Sequence, residues 1–139
     1  MPDENRLTGS CLCGAVRFTI LGPLGQTLNC HCSICRKAHS SAFRTRSAVR
    51  SEQLSWISGE ESIGRYPSSP STVRCFCTIC GTRLHSEYPD HPGMFGVPLG
   101  LFDNDPGVRP EAHIFVGSKA PWFEITDDLP QHAGMPPPP

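Results

Sequence analysis

Apolar and polar positions alternate from Val16 to Ile20 within AVRFTIL, the period-two pattern of a half-buried strand. A partial alternation runs from Ala42 to Val49 (AFRTRSAV), and Leu54 to Ser58 (LSWIS) reads as a further strand ended by Gly59. Leu28 to Cys30 is a short extended piece. Thr72 to Cys77 (TVRCFC) is extended, Thr78 to Gly81 turns, and Thr82 to Glu87 (TRLHSE) leaves that turn as a strand. Met94 to Leu99 and His113 to Val116 are short strands. Helix is expected only over Ser33 to Ser40, for one or two turns with Ser33 as N-cap. Turns and loops separate these pieces at Gly22–Gly25, Pro67–Pro70, Tyr88–Gly93 and Gly100–Pro110.

Composition reinforces this pattern. The 139 residues include 13 Gly and 15 Pro, which favour turns over long helices. Short, evenly spaced strands then predict one mainly β domain with little helix. A hydrophobic fraction of 37% excludes disorder throughout. Residues 1–7 read as a polar arm, 8–130 as the folded domain, and 131–139 as a flexible Pro-rich tail. The formal charge of −1 leaves no basic field for nucleic acid. No apolar run approaches the roughly 18 residues of a membrane span. The opening MPDENRLTGS is too polar for a signal peptide, so a cytoplasmic protein is expected. No G-x-G-x-x-G or P-loop points to a nucleotide.

The eight cysteines carry the chemistry. Without a signal peptide, clustered cysteines indicate metal rather than disulfides. Cys77 and Cys80 form C-x-x-C followed by Gly81, and Cys11 and Cys13 form C-x-C followed by Gly14. A glycine after the pair lets the chain turn beneath a metal. Together the four thiolates make a closed, structural zinc site. Cys30, Cys32 and Cys35 supply three thiolates and leave a tetrahedral position open, the pattern of a catalytic zinc. Such an electron-rich centre prefers a soft thiol to water as its fourth ligand.

Other residues keep two readings each. Cys75 is either an extra ligand that closes the second site or a buried core thiol. Arg36 and Lys37 either bind a substrate carboxylate or are solvated surface charges. His39 is a weak candidate for proton transfer at the open site. His31 lies between two ligands and is expected to point away from them. His85 and His113 read as hydrogen-bonded structural histidines.

In order along the chain, GSCLCGAVRF, CHCSICRKAHSSAF and FCTICGTRL resemble the glutathione-dependent formaldehyde-activating enzyme family, also called the centromere protein V-like family. The later stretch PEAHIFVGSKAPWFEITDDLP is similar to the family's closing segment. The resemblance covers roughly residues 8–130. It implies a β-tent of short antiparallel sheets around zinc. It implies a structural zinc on Cys11, Cys13, Cys77 and Cys80 and a second on Cys30, Cys32 and Cys35. It also implies a carbon–sulfur lyase activity, in which glutathione and formaldehyde combine to S-hydroxymethylglutathione. Cys75 is an extra thiol against the family pattern. The alternative is a non-catalytic zinc module that binds or scaffolds. The edges of an open β fold also make a homodimer an expectation.

Overall fold

Residues 6–136 are described by a computed structural model. Among the described residues, ten short strands, one α-helix and four single-turn 3-10 helices follow the turn-rich sequence: β1 (Arg6–Ser10), β2 (Arg17–Leu21), β3 (Thr27–Cys30), α1 (Ser33–His39), β4 (Arg44–Arg50), β5 (Leu54–Ser58), β6 (Ile63–Ser69), β7 (Thr72–Cys77), β8 (Arg83–Glu87), β9 (Met94–Pro98) and β10 (Ala112–Ile114). They build a three-stranded sheet in the order β1-β2-β5 and a seven-stranded sheet in the order β10-β3-β4-β9-β8-β7-β6. Every pairing is antiparallel except β10 with β3, which is parallel.

Alternation explains the core. In β2, Phe18 and Ile20 point inward while Arg17 and Leu21 face out. Phe18 and Ile20 pack with Val49, Leu84 and Val97 of the large sheet. The Phe18 ring meets Trp56 edge-on, with centroids 5.8 Å apart. A second apolar cluster joins Leu28, Ala112 and Ile114 to Cys30 and Cys35, and so seats α1 against one end of the large sheet.

Several expectations change on folding. The arm expected over residues 1–7 contributes Arg6 and Leu7 to β1, whose alternating Leu7 and Gly9 face inward; residues 1–5 lie outside the described residues. The turn expected over Pro67–Pro70 is shorter, because β6 continues to Ser69. Pro67 is tolerated there because β6 is an edge strand, where a missing N–H costs no ladder bond on the open side. The cap of α1 is Cys32 rather than Ser33, since the Cys32 sulfur accepts from the Cys35 N–H at 3.2 Å.

The tail is also tied down where a free end was expected from residue 131. His113 donates its N–H to the Pro130 carbonyl at 2.8 Å, and its own carbonyl accepts from His132 at 2.9 Å. Phe115 and Val116 donate to Gly134 and His132. The open edge of β10 thus takes the segment as a further partner, which satisfies backbone groups otherwise left to water. Residues 137–139 of that tail lie outside the described residues.

Gly59 shows how tightly the small sheet is closed. It has φ +80°, and a β-carbon there would stand 2.2 Å from the Ala15 carbonyl oxygen. Gly59→Ala is expected to lower the free energy of unfolding by more than about 1 kcal/mol. Gly93→Ala, with no atom near its added carbon, is expected to change it by less than about 0.5 kcal/mol. Urea titrations of the two variants check this contrast.

Candidate active site

Two glycine-closed turns meet at the first cysteine cluster. Cys11 and Cys13 lie between β1 and β2, where Gly14 (φ +80°) donates its N–H to the Cys11 carbonyl. Cys77 and Cys80 lie between β7 and β8, where Gly81 (φ +80°) donates to the Cys77 carbonyl. The turns are joined by the Leu12 N–H, which donates to the Thr82 hydroxyl at 3.0 Å. All four sulfurs fall within 4.8 Å of one another. The sulfurs also receive polar support. The Val16 N–H donates to Cys11 at 3.3 Å, and hydrogen bonds from the Thr82 hydroxyl and N–H hold the Cys80 thiol down at about 5. None of the eight cysteines is in a disulfide. A set of four sulfurs with N–H and O–H donors around it fits a soft cation in a closed tetrahedral site.

The second cluster is placed by β3 and α1. Cys30 ends β3, Cys32 caps the helix and Cys35 sits on its buried face; their sulfurs are also within 4.8 Å of one another. Hydrogen bonds from Cys30 and Cys32, with help from the Arg44 and Arg74 guanidiniums, hold the Cys35 thiol far below its usual range. Hydrogen bonding with Cys32 and Cys35, together with burial, pushes Cys30 the other way. One thiolate is therefore favoured in the cluster even without a cation. Three sulfurs with one side open fit a soft metal that keeps an exchangeable ligand.

That open side faces a cavity of about 470 Å³, within the usual size of a small-molecule site. Arg44, Arg46 and Arg74 line it beside the sulfurs. Arg44 and Arg46 alternate on β4, and Cys30 is paired directly with Arg44. Arg74 reaches across from β7 to donate to Cys35 at 3.5 Å and to the Ser68 hydroxyl at 3.1 Å. Arg44 donates to the Ser86 hydroxyl at 2.8 Å. Arg44 and Arg74 are only 7% and 9% exposed, and burial holds Arg46 below its ordinary value. Nε of Arg44, Nε of Arg46 and Nη1 of Arg74 are buried without a hydrogen-bond partner. Each such group carries a cost of about 1–3 kcal/mol. The parts of the three guanidiniums that do line the cavity give it a positive wall suited to anionic acceptors.

The sequence model for the family described as glutathione-dependent formaldehyde-activating enzyme matches residues 6–118. The chain belongs to this family. Among its relatives, an uncharacterized lyase of Schizosaccharomyces pombe is 27% identical over 119 residues, covering 86% of this chain and 85% of that one. A Halomonas elongata protein, provisionally named a glutathione-dependent formaldehyde-activating enzyme, is 32% identical over 127 residues, covering 86% and 80%. A crystal structure of a Rhodobacter sphaeroides protein shares the fold with TM-score 0.58 and 26% identity, over 74% of this chain and 91% of that one.

Within this glutathione-dependent formaldehyde-activating enzyme family member, the remaining candidate residues are sorted by the folded strands. Arg36 and Lys37 do not line the cavity at the second cluster; Lys37 lines a neighbouring groove with Arg74 and Arg83. His39, on the last turn of α1, is also off the cavity wall, and burial lowers it to about 4, so it is neutral at pH 7. Cys75 belongs to neither cysteine cluster. Its neighbour Arg74 points to the Cys35 sulfur, so alternation turns Cys75 to the opposite face, into the core. There it groups with His85 and Glu87, and burial pushes its thiol up to about 12.

His31 does turn away from its flanking cysteines. It is fully buried, and its Nε2 lies 2.8 Å from Nδ1 of His113, whose Nε2 lies 3.0 Å from Asp127. With Asp127 accepting from His113 Nε2, Nδ1 of His113 is left to accept from His31. That leaves His31 Nδ1 unprotonated, and it is the nitrogen without a partner. Burial lowers His31 to about 4. The chain therefore fixes the backbone between Cys30 and Cys32 from the far side.

Metal removal is expected to separate the two cysteine clusters. Cys77→Ser should lose bound metal and lower Tm by at least about 10 °C, because closed thiolate sites carry folding energy. Cys32→Ser should lose metal with a much smaller change in Tm. Elemental analysis and thermal melting followed by circular dichroism check both outcomes.

Proposed function

We propose that this chain is a zinc-dependent carbon–sulfur lyase-type enzyme that interconverts glutathione plus formaldehyde with S-hydroxymethylglutathione. The observation that carries the reading is the three-cysteine cluster opening onto a cavity with three buried arginines. Family membership and the names of the Schizosaccharomyces pombe and Halomonas elongata relatives support it. Cys30, Cys32 and Cys35 hold the second zinc, and Cys11, Cys13, Cys77 and Cys80 hold the structural one. Bound at the open cluster, zinc supplies a soft Lewis-acid position that favours a thiol as its thiolate.

The chain's own residues do the rest. Arg44, Arg46 and Arg74 take the glutathione carboxylates along the cavity wall and so orient the sulfur. The sulfur lone pair forms the bond to the aldehyde carbon, and the carbonyl π pair moves to oxygen. The proton released by the thiol ends on that oxygen. Tyr88 and His91 stand on the cavity wall as groups able to pass it. The placement of Cys75 in the core supports an open second cluster over a closed scaffold module.

Arg74→Ala is expected to weaken glutathione binding at least tenfold, the loss of about 1.5 kcal/mol or more from a charged hydrogen bond. Cys32→Ser is expected to abolish it while preserving the β-sheet spectrum. Calorimetric titration measures affinity, and magnetisation-exchange NMR compares turnover with the spontaneous reaction. Unchanged glutathione affinity in both variants overturns the proposal.

A further inference from the structure

The antiparallel pair β7–β8 brings together three side chains that neither cysteine cluster uses. Val73 pairs with Glu87 and Arg74 with Ser86, which sets Cys75 beside the stretch from His85 to Glu87. His85 and Glu87, two apart on a strand, share one face. The sulfur of Cys75, a ring nitrogen of His85 and a carboxylate oxygen of Glu87 lie within 4.8 Å of one another. Cys75 and His85 are 1% and 2% exposed, whereas the Glu87 side chain is 27% exposed.

We propose that Cys75, His85 and Glu87 form a third metal site, for a divalent ion of the zinc class, distinct from the two cysteine-only clusters. Sulfur, nitrogen and oxygen donors in one small set suit zinc or cobalt(II) and not magnesium or calcium, which take oxygen alone. The charges also close. A thiolate and a carboxylate cancel a divalent cation, and a neutral imidazole adds nothing, so a nearly buried centre carries no net charge. Metal binding displaces the Cys75 proton to solvent.

The surroundings are those of a ligand set. Arg65 donates from Nε to Oε1 of Glu87 and from Nη2 to Oε2, both at 3.3 Å, and so steadies the carboxylate from outside. His85 Nε2 lies 2.9 Å from Oε2 of Glu87, while Nδ1 is buried with no hydrogen-bond partner. The ring is clamped between Trp56 and Phe95, with centroids 5.1 and 4.7 Å away. The protein therefore fixes the imidazole without using all of its bonding capacity. A hollow of about 160 Å³, lined by Val73, Tyr88 and Phe95, opens beside Glu87, the one of the three that is partly exposed. An ion there ties β7 to β8 just below the turn that carries Cys77 and Cys80.

The test compares the full chain with Cys75→Ala, His85→Phe and Glu87→Gln after zinc saturation and removal of free metal. The wild type is expected to hold one zinc more per chain than each variant. In the wild type alone, the ring nitrogens of His85 should shift in ¹⁵N NMR when zinc is added. Glu87→Gln keeps the shape of the site, so it reads metal binding even if His85→Phe fails to fold. The His85 signal also reads this site separately from the cysteine clusters. Equal zinc content in the wild type, Cys75→Ala and Glu87→Gln, with His85 nitrogens unmoved by zinc, overturns the proposal.

Discussion

Four sulfurs from two different sheets meet within 4.8 Å, and the rest of the architecture depends on that meeting. Cys11 and Cys13 sit where β1 hands over to β2 in the small sheet. Cys77 and Cys80 sit where β7 hands over to β8 in the large one. Four thiolates at this spacing repel one another unless a cation stands between them. The backbone nevertheless commits to the arrangement with two glycine turns and a hydrogen bond between them. Phe18, Val49 and Val97 then fill the space that this tie holds closed. With the small sheet anchored, the large sheet is free to devote its other face to the cleft.

The cleft is a charge balance. Three thiolates around a divalent cation leave one negative charge, and Arg44 and Arg74 stand where they can offset it. Arg46 extends the positive wall away from the sulfurs. The buried guanidiniums are costly alone and become favourable only when the sulfurs and an anionic ligand face them. Cysteine cluster and cavity are therefore one electrostatic unit. The Asp127–His113–His31 chain secures the same unit from behind, by holding the segment that carries two of its sulfurs.

What the sequence disclosed follows from the range over which each signal acts. Cysteine spacing and the glycine after each pair are local, so both clusters could be read from GSCLCGAV, CHCSIC and FCTICG. Strand alternation is local too, and the elements from β2 to β10 were mostly legible. The arginines were not. An arginine on a strand reads as solvated until the partner strand is known, and Arg74 meets Cys35 across 39 positions. The i, i+2 spacing of Arg44 and Arg46 beside the Cys30 cluster was the one available hint. His31 and His113 are 82 positions apart, and no periodicity joins them. β6 was hidden by Pro67, because an edge strand breaks the pattern that identifies a central one. The docking of residues 130–134 was hidden because it is made by backbone groups on the open edge of β10, where side-chain composition carries little information.

Strand β7 shows why so short a chain can serve several sites. Its side chains alternate between two environments, so one residue step changes the chemistry. Arg74 faces the cleft and touches Cys35, while Cys75 and Cys77 face the core. Cys77 joins the four-sulfur tie, and Cys75 joins His85 and Glu87 from the neighbouring strand. A slip of one residue in the pairing of β7 would move Arg74 into the core and withdraw both cysteines from their partners. Register in this hairpin is therefore held by chemistry on both faces at once. The turn at Gly81 that sets the register is also the turn that presents Cys80. The same few atoms thus place the cysteines and decide which face of β7 meets the cavity.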